Sequence, residues 1–185
     1  MRRVWKCGGI KDRWIEMKIG IVSDSHDNIP LLCAAVEQAQ RGGAQAILHC
    51  GDIVSANTLR KLRAYHLPIH VIHGNNLGDL YYLTLLATNT NNNIQYYGQD
   101  ADIKLAGKRI FLVHFPHYAQ AMAKTGDYDL VCCGHDHRAN IQAIHNIKEK
   151  TTVLCNPGTV GGIDAPATYI LGDLSTMEFT IFPVV

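Results

Sequence analysis

Lys18-Ile19-Gly20-Ile21-Val22-Ser23-Asp24-Ser25-His26 is an apolar run that breaks directly into two side chains of types that can hold a metal ion. A short run rich in Val and Ile, closed by polar residues, reads as a buried strand. Asp24 and His26 stand two apart just past its end, so alternation puts carboxylate and imidazole on one side. The pattern recurs four times further along. Ala46-Ile47-Leu48 leads through His49 and Cys50 to Gly51-Asp52, and Ile69-His70-Val71-Ile72-His73 leads to Gly74-Asn75. Ile110-Phe111-Leu112-Val113 ends at His114, and Leu130-Val131-Cys132-Cys133 ends at Gly134-His135-Asp136-His137. Ligands of open α/β sheets gather beyond the carboxyl ends of strands. These ends therefore bring Asp24, His26, Asp52, Asn75, His114, His135 and His137 to one place, a donor set suited to two divalent cations.

Between the strand ends, the first half alternates strand and helix. A helix is expected from about Pro30 to Gln40, with Pro30 at its first position and Gly42-Gly43 ending it. Leu31, Leu32, Ala35, Val36 and Ala39 form its apolar stripe. A second helix runs from Ser55, a good N-cap, to Tyr65, and a short third from about Leu77 to Leu86. This is the βαβ rhythm of a parallel sheet. A polar turn follows over Thr88 to Asn93. Beyond it come a hairpin (101–105 and 108–113), a short helix near Tyr118 to Ala123, and strands over 129–133, 140–146, 151–155, 167–173 and 177–182. The expected fold is α/β: a four-layer αββα sandwich of two mixed sheets flanked by helices, in one domain over 17–185. Residues 1–16 read as an N-terminal extension or a misassigned start ahead of Met17. The alternative is an ordered arm packing Trp5 and Trp14 on the domain.

Composition narrows the classes. The 185 residues are 47% hydrophobic with a formal charge of +1. That suits a globular chain and gives no broad basic face for nucleic acid. None of the six cysteines is spaced Cys-x-x-Cys, so buried, reduced thiols in a cytoplasmic protein are expected. Adjacent Cys132 and Cys133 should face opposite sides of a strand. No apolar run approaches the ~18 residues of a membrane span. Arg2, Arg3, Lys6, Lys11 and Arg13 precede no continuous apolar core, so the start is not a secretory signal. A homo-oligomer stays open.

Two dications bring four positive charges, and Asp24 with Asp52 return two. The surplus suits a phosphate ester, and the lack of thiolate donors points to a hydrolytic Mn, Fe, Zn or Ni site. Other polar residues take plainer readings. His49 and His73 are expected to face away from the donors, as structural or supporting residues. His66, His70 and His145 read as surface or satisfied core histidines. Asp136 should point away from its neighbours. Asp27 and Asn28 either orient His26 or cap the next helix.

The ordered series Asp24-Ser25-His26, Gly51-Asp52, Gly74-Asn75, His114 and Gly134-His135-Asp136-His137 resembles the calcineurin-like metallophosphoesterases. Size and the closing Asn156-Pro157-Gly158 are similar to their small bacterial and archaeal phosphodiesterase branch. The resemblance implies two metals, Mn ahead of Fe, Ni or Zn, and in-line attack by a metal-bridging hydroxide on a small phosphate ester. By position, Asp24, His26, Asp52 and His137 would hold the first metal, and Asp52, Asn75, His114 and His135 the second. Asp52, Asn75 and His114 would be the catalytic core. Three stretches depart from the family pattern. Asn76-Leu77 stands where Cys-Asp or His-Glu is usual, which leaves no leaving-group acid there. Asp79 is a distant substitute. His114 is followed by Phe115-Pro116-His117 instead of Gly-His, leaving His117 as a candidate phosphate contact or acid. The segment from Thr159 to Pro166 lacks the usual Pro-Arg. Activated leaving groups such as nitrophenolate should therefore be preferred over alkoxides. Relatives of the fold also serve as protein-binding scaffolds, as in a retromer subunit. A catalytically weak, metal-binding interaction scaffold is thus the alternative function.

Overall fold

A computed structural model describes residues 16–88 and 93–185. The extension read over 1–16, apart from Glu16, and residues 89–92 of the polar turn lie outside the described residues. In chain order the elements are β1 (Lys18–Val22), α1 (Ile29–Arg41), β2 (Ala44–His49), α2 (Ala56–Leu62), β3 (Ile69–Val71), α3 (Leu80–Thr88), β4 (Ile94–Tyr96) and β5 (Asp100–Leu105). They continue with β6 (Lys108–Val113), α4 (Pro116–Lys124), β7 (Leu130–Cys132), β8 (Asn140–His145), β9 (Thr151–Asn156), β10 (Thr168–Asp173) and β11 (Glu178–Pro183).

The strands form two mixed sheets, ordered β11-β10-β1-β2-β3-β4 and β5-β6-β7-β9-β8. β1 through β4 run parallel, as do β6, β7 and β9, while β10, β11, β5 and β8 pair antiparallel. Alternation along β1 shows how the layers are built. Ile19 and Ile21 enter a core with Ala46, Leu48, Ile110, Leu112, Leu130 and Cys132, which joins the two sheets. Val22 faces the opposite core, with Leu32, Val36, Leu59 and Leu83 of the three helices on that side. A third cluster, Val113, Ala119, Ala123, Val131, Cys133 and Leu154, seats α4 on the outer face of the second sheet. Burying each such Ile or Leu stabilises by roughly 1.5–3 kcal/mol. The result is the expected four-layer αββα sandwich. Cys132 and Cys133 do face opposite cores. α1 crosses β1 so closely that a Cβ on Gly20 would sit 2.7 Å from Ile47 Cδ1 and 3.0 Å from Ala39 Cβ.

Some boundaries differ from expectation. β4 was not expected; its three residues extend the parallel pairing of β3. α2 ends at Leu62 and tightens into a 3₁₀ turn over Arg63–Tyr65. α3 starts at Leu80 because Gly78 takes a left-handed φ of 58° and Asp79 caps, accepting the Tyr82 amide at 3.0 Å. No helix among the described residues is long and apolar enough to cross a membrane.

Candidate metal centre

The parallel strands β1, β2, β3, β6 and β7 all end on one edge, and their following loops meet there. All seven residues singled out from the sequence converge. On one side, His26 Nε2 lies 3.3 Å from His137 Nε2 and 3.7 Å from Asp52 Oδ2, and His137 Nε2 lies 3.4 Å from Asp24 Oδ1. On the other, Asn75 Oδ1 lies 3.0 Å from His114 Nε2 and 2.8 Å from His135 Nδ1, and His114 Nε2 lies 3.5 Å from Asp52 Oδ1. Asp52 stands between, with one carboxylate oxygen toward each group. Asp24 also reaches the second side, at 3.9 Å from His114 Nε2.

Glycine precedes three of these residues for a steric reason. A Cβ on Gly51 would sit 2.6 Å from His114 Nδ1. One on Gly74 would fall on Asp52 Oδ1, and one on Gly134 on Ser23 Oγ and Asp24 Oδ2. The loops can interdigitate only where no side chain intervenes. Backbone strain collects here too. Asp24, His26, Asp52, His135 and His137 hold φ of 53°, 43°, 54°, 75° and 59°. Non-glycine residues rarely adopt this region, and each instance costs on the order of 1–3 kcal/mol unless the surroundings enforce it.

The enforcing contacts come largely from the segment after β9. Thr159 Oγ1 and the Gly161 amide both donate to the Asp24 carbonyl, at 2.9 and 3.1 Å. The Val160 amide donates to the Ser23 carbonyl at 2.8 Å. Asn28 Nδ2 donates to the Gly161 carbonyl at 2.9 Å. Asn156 Nδ2 donates to the Gly134 carbonyl at 3.1 Å and to Asp136 Oδ1 at 2.7 Å, which turns Asp136 away from the cluster.

The donor set fits cations. His114 Nδ1 lies 2.8 Å from the Cys50 carbonyl, and His137 Nδ1 3.0 Å from the Ile163 carbonyl. A carbonyl only accepts, so each Nδ1 carries the proton and, in the neutral ring, each Nε2 presents a lone pair. Those lone pairs face Asp24, Asp52 and Asn75 oxygens. Acceptors facing acceptors are reconciled by a positive ion between them. Asp24 Oδ1 is buried with no hydrogen-bond partner. Burial pushes its carboxyl above the ordinary carboxylate range, against the pull of His114 and of the His135 amide, which donates to Oδ2 at 2.9 Å. An orphaned, desolvated oxygen ringed by imidazoles is what a metal ligand becomes without its metal. Two trios, Asp24-His26-His137 and Asp24-Asp52-His114, each present their ligand atoms within 4.8 Å of one another.

Neighbouring residues fall outside the donor set. His117 is exposed on the first turn of α4, its ring 5.8 Å from Phe115 and 4.2 Å from Tyr118. Asp79 is spent on its cap. Asp27 accepts from the Ser55 amide at 2.9 Å and from the Thr58 hydroxyl, so it secures the start of α2 and leaves His26 alone. His70 is a satisfied core histidine, with Nδ1 2.7 Å from the Tyr97 hydroxyl, and His73 Nδ1 lies 2.5 Å from that of Tyr96. His49 takes the supporting role expected of it. Its Nδ1 accepts the Gly51 amide at 3.3 Å and its Nε2 meets Ser25 Oγ at 3.2 Å, so it ties two ligand loops together from beneath. Sequence reading missed Asn76, which looked like an empty acid position. Its backbone amide donates to Asp52 Oδ1 at 2.8 Å and its side-chain amide to Oδ2 at 2.7 Å. The adjacent Asn75-Asn76 pair was the available signal.

Oxygen and nitrogen donors gathered where two mixed sheets share a carboxyl edge suit metal-assisted hydrolysis. The chain belongs to the calcineurin-like phosphoesterase superfamily, whose domain profile matches residues 17–177. It is 29% identical over 150 residues to phosphodiesterase MJ0936 of Methanocaldococcus jannaschii, covering 79% of this chain and 86% of that protein. The solved structure of an archaeal phosphodiesterase superposes at a TM-score of 0.80 with 25% identity, over 90% of this chain and 99% of its own. Vacuolar protein sorting 29 from Cryptosporidium parvum superposes at 0.67 with 14% identity, over 90% and 96%. That last likeness is one of fold alone.

Proposed function

We propose that the chain is a two-metal phosphodiesterase for small phosphate esters, carried by one domain over residues 17–185. The supporting observation is Asp52, whose two carboxylate oxygens face two separate groups of acceptor atoms. In this reading Asp24, His26, His137 and Asp52 Oδ2 hold one divalent ion, with Mn²⁺ the first choice. Asn75, His114, His135 and Asp52 Oδ1 hold the other. Such a pair of ions supplies Lewis acidity toward phosphoryl oxygens and brings the pKa of water toward neutrality. The chain's own residues fix the geometry: the carbonyls of Cys50 and Ile163 aim His114 and His137, and Asn76 sets the tilt of the Asp52 carboxylate. Hydrolysis consumes one water. Its oxygen bonds to phosphorus as the ester P–O bond breaks, and the leaving oxygen takes a proton. No titratable side chain stands at Asn76 or Leu77 to deliver that proton, and His117 is the remaining candidate. The five described cysteines are all free, which supports a reducing, cytoplasmic setting.

The relation to phosphodiesterase MJ0936 favours diesters over monoesters. The scaffold alternative draws on one observation: α3 leaves Tyr81, Tyr82 and Leu85 at 71%, 56% and 46% exposed, an apolar face of the kind partners cover. The deciding experiment strips the metal, restores Mn²⁺, and compares bis-p-nitrophenyl phosphate with p-nitrophenyl phosphate, alongside Asp52→Asn. Metal-dependent turnover of the diester, reduced about a thousandfold in Asp52→Asn, is expected on the scale of losing one charge-stabilising group. Absence of turnover with both ions bound would favour the scaffold.

A further inference from the structure

A cavity of about 270 Å³ opens beside the cluster, walled by His73, Leu77, Gln99, Val113, His114 and Phe115. It is not the metal centre, but the two share a wall. The Nε2 edge of His114 faces Asp52 and Asn75, and the same imidazole bounds the cavity. The Phe115 ring stands 5.3 Å from the His114 ring and 4.8 Å from that of His135, so it borders both the cavity and the cluster. Leu77, 44% exposed, closes the other side two residues beyond Asn75.

The lining is apolar where it meets the cluster and polar at one edge. Val113, Leu77 and Phe115 offer carbon. His73 Nε2 and the Gln99 amide make no hydrogen bond among the described residues, so both can serve a ligand. At about 270 Å³ the space falls just below the roughly 300–1,000 Å³ of pockets that enclose whole drug-sized ligands. It suits one ring-sized group with a hydrogen-bonding edge. Leu77 and Phe115 are also two of the residues by which the chain departs from the family pattern, and the fold places both on this one cavity.

We propose that this cavity receives the ester group of the substrate, a planar aromatic ring joined to the phosphate that the cluster holds. The assignment rests on the phosphodiesterase reading above. An aryl group and a nucleobase share the chemistry recognised here: a flat apolar face with a polar rim.

The test uses Mn²⁺-loaded full-length protein and titration calorimetry, with phenylphosphonate against methylphosphonate as probes that share one head group. Phenylphosphonate is expected to bind about tenfold tighter, the scale of an added apolar group in a fitted pocket. In Leu77→Asp and in Phe115→Gly the two affinities should converge. Equal affinities in the wild type, or a preference that persists in both variants, would overturn the proposal. Phenyl phosphate against uridine 5′-monophosphate then separates the sources of the ring: tighter binding of the nucleotide supports a nucleobase, and the reverse supports an aryl group. Failure of the functional reading looks different. Absent diester hydrolysis with the phenyl preference intact would sink the phosphodiesterase reading while supporting the cavity.

Discussion

The floor of the cluster and its rim are built on opposite principles. Asp24, Asp52 and His114 on the floor are 0%, 2% and 1% exposed; Asp24 and Asp52 sit in left-handed turns, and a backbone carbonyl aims His114. At the rim, Asn75, Asn76, Leu77, His135 and His117 are exposed, with Asn75 Oδ1 2.8 Å from His135 Nδ1. The family-like ligands span both levels: Asp24, Asp52 and His114 lie on the floor, while Asn75 and His135 reach in from the rim. Two of the three departures, Asn76-Leu77 and Phe115 to His117, lie at the rim. The third, the segment from Thr159 to Pro166, supplies hydrogen bonds that hold the floor. If the floor sets the chemistry and the rim selects the ester, changes at the two levels should have separable effects.

The sharpest way to break this contrast is a single methyl on the floor. In Gly74→Ala the new Cβ meets Asp52 Oδ1, with the Asp52 amide nitrogen and His114 Cδ2 both at 2.8 Å. Neither the backbone nor a buried imidazole can swing aside. Displacing Asp52 by even ~1 Å should lower kcat for the diester about a hundredfold, with roughly 1–3 kcal/mol lost to overpacking. Gly107, in the β5–β6 hairpin, is the comparison: its φ is 81° but a Cβ there meets nothing within 4 Å. Gly107→Ala should cost about 1–2 kcal/mol from the left-handed backbone alone and leave kcat intact. Urea unfolding and steady-state kinetics on both variants decide it; near-normal kcat in Gly74→Ala would mean that the floor yields.

A smaller effect is expected from Asp24→Asn, and it runs against intuition. Without metal, Asp24 Oδ1 is a buried, unpartnered oxygen, and an amide is cheaper to desolvate there than a carboxylate. A gain of ~1 kcal/mol, which is about 2–4 °C in Tm for a chain of this size, is expected in chelator-treated protein. The wild type should overtake the variant on adding Mn²⁺, because binding to the folded state alone raises its stability. A variant that melts lower without metal would show that the oxygen is not a burden in the apo protein.

The same divide marks what the sequence could reveal. Each floor residue ends an apolar run, and a run ending in Asp or His at a strand terminus is legible because period and position both point the same way. The hairpin at Ala106-Gly107 was legible for a similar reason, two residues at φ 47° and 81° between alternating strands. β4 was not, because three residues after a polar turn carry no period. The start of α3 was misplaced because apolar Leu77 reads as helix, while the left-handed Gly78 and the Asp79 cap act only once the loop has formed. Asn76 was read by what it cannot do, titrate, when its function comes from two amide hydrogens meeting one carboxylate across 24 residues of sequence. Strand alternation sent His49 away from the donors. It could not foresee that the loop after β1 brings Ser25 Oγ to 3.2 Å from its Nε2.

His49 therefore offers the finest test of how the floor is held. Its ring is fully buried, and burial lowers its pKa to about 3 from an ordinary 6.5. The unfolded chain takes up a proton near pH 6.5 that the folded chain refuses until near pH 3. The unfolded state binds more protons across that window, so stability falls as pH falls through it and is unaffected above it. The full effect is on the order of a few kcal/mol at the acid end and vanishes at pH 8. His49→Gln retains groups able to bond Ser25 and the Gly51 amide but cannot titrate. At pH 8 the variant should be the less stable, since a flexible amide fills the imidazole's place poorly. Denaturant unfolding of metal-free protein between pH 8 and pH 4.5 should show the gap narrowing as the pH drops. Parallel curves would mean that the imidazole accepts its proton in the folded state, and that the seam between the two ligand loops is wetter than its burial implies.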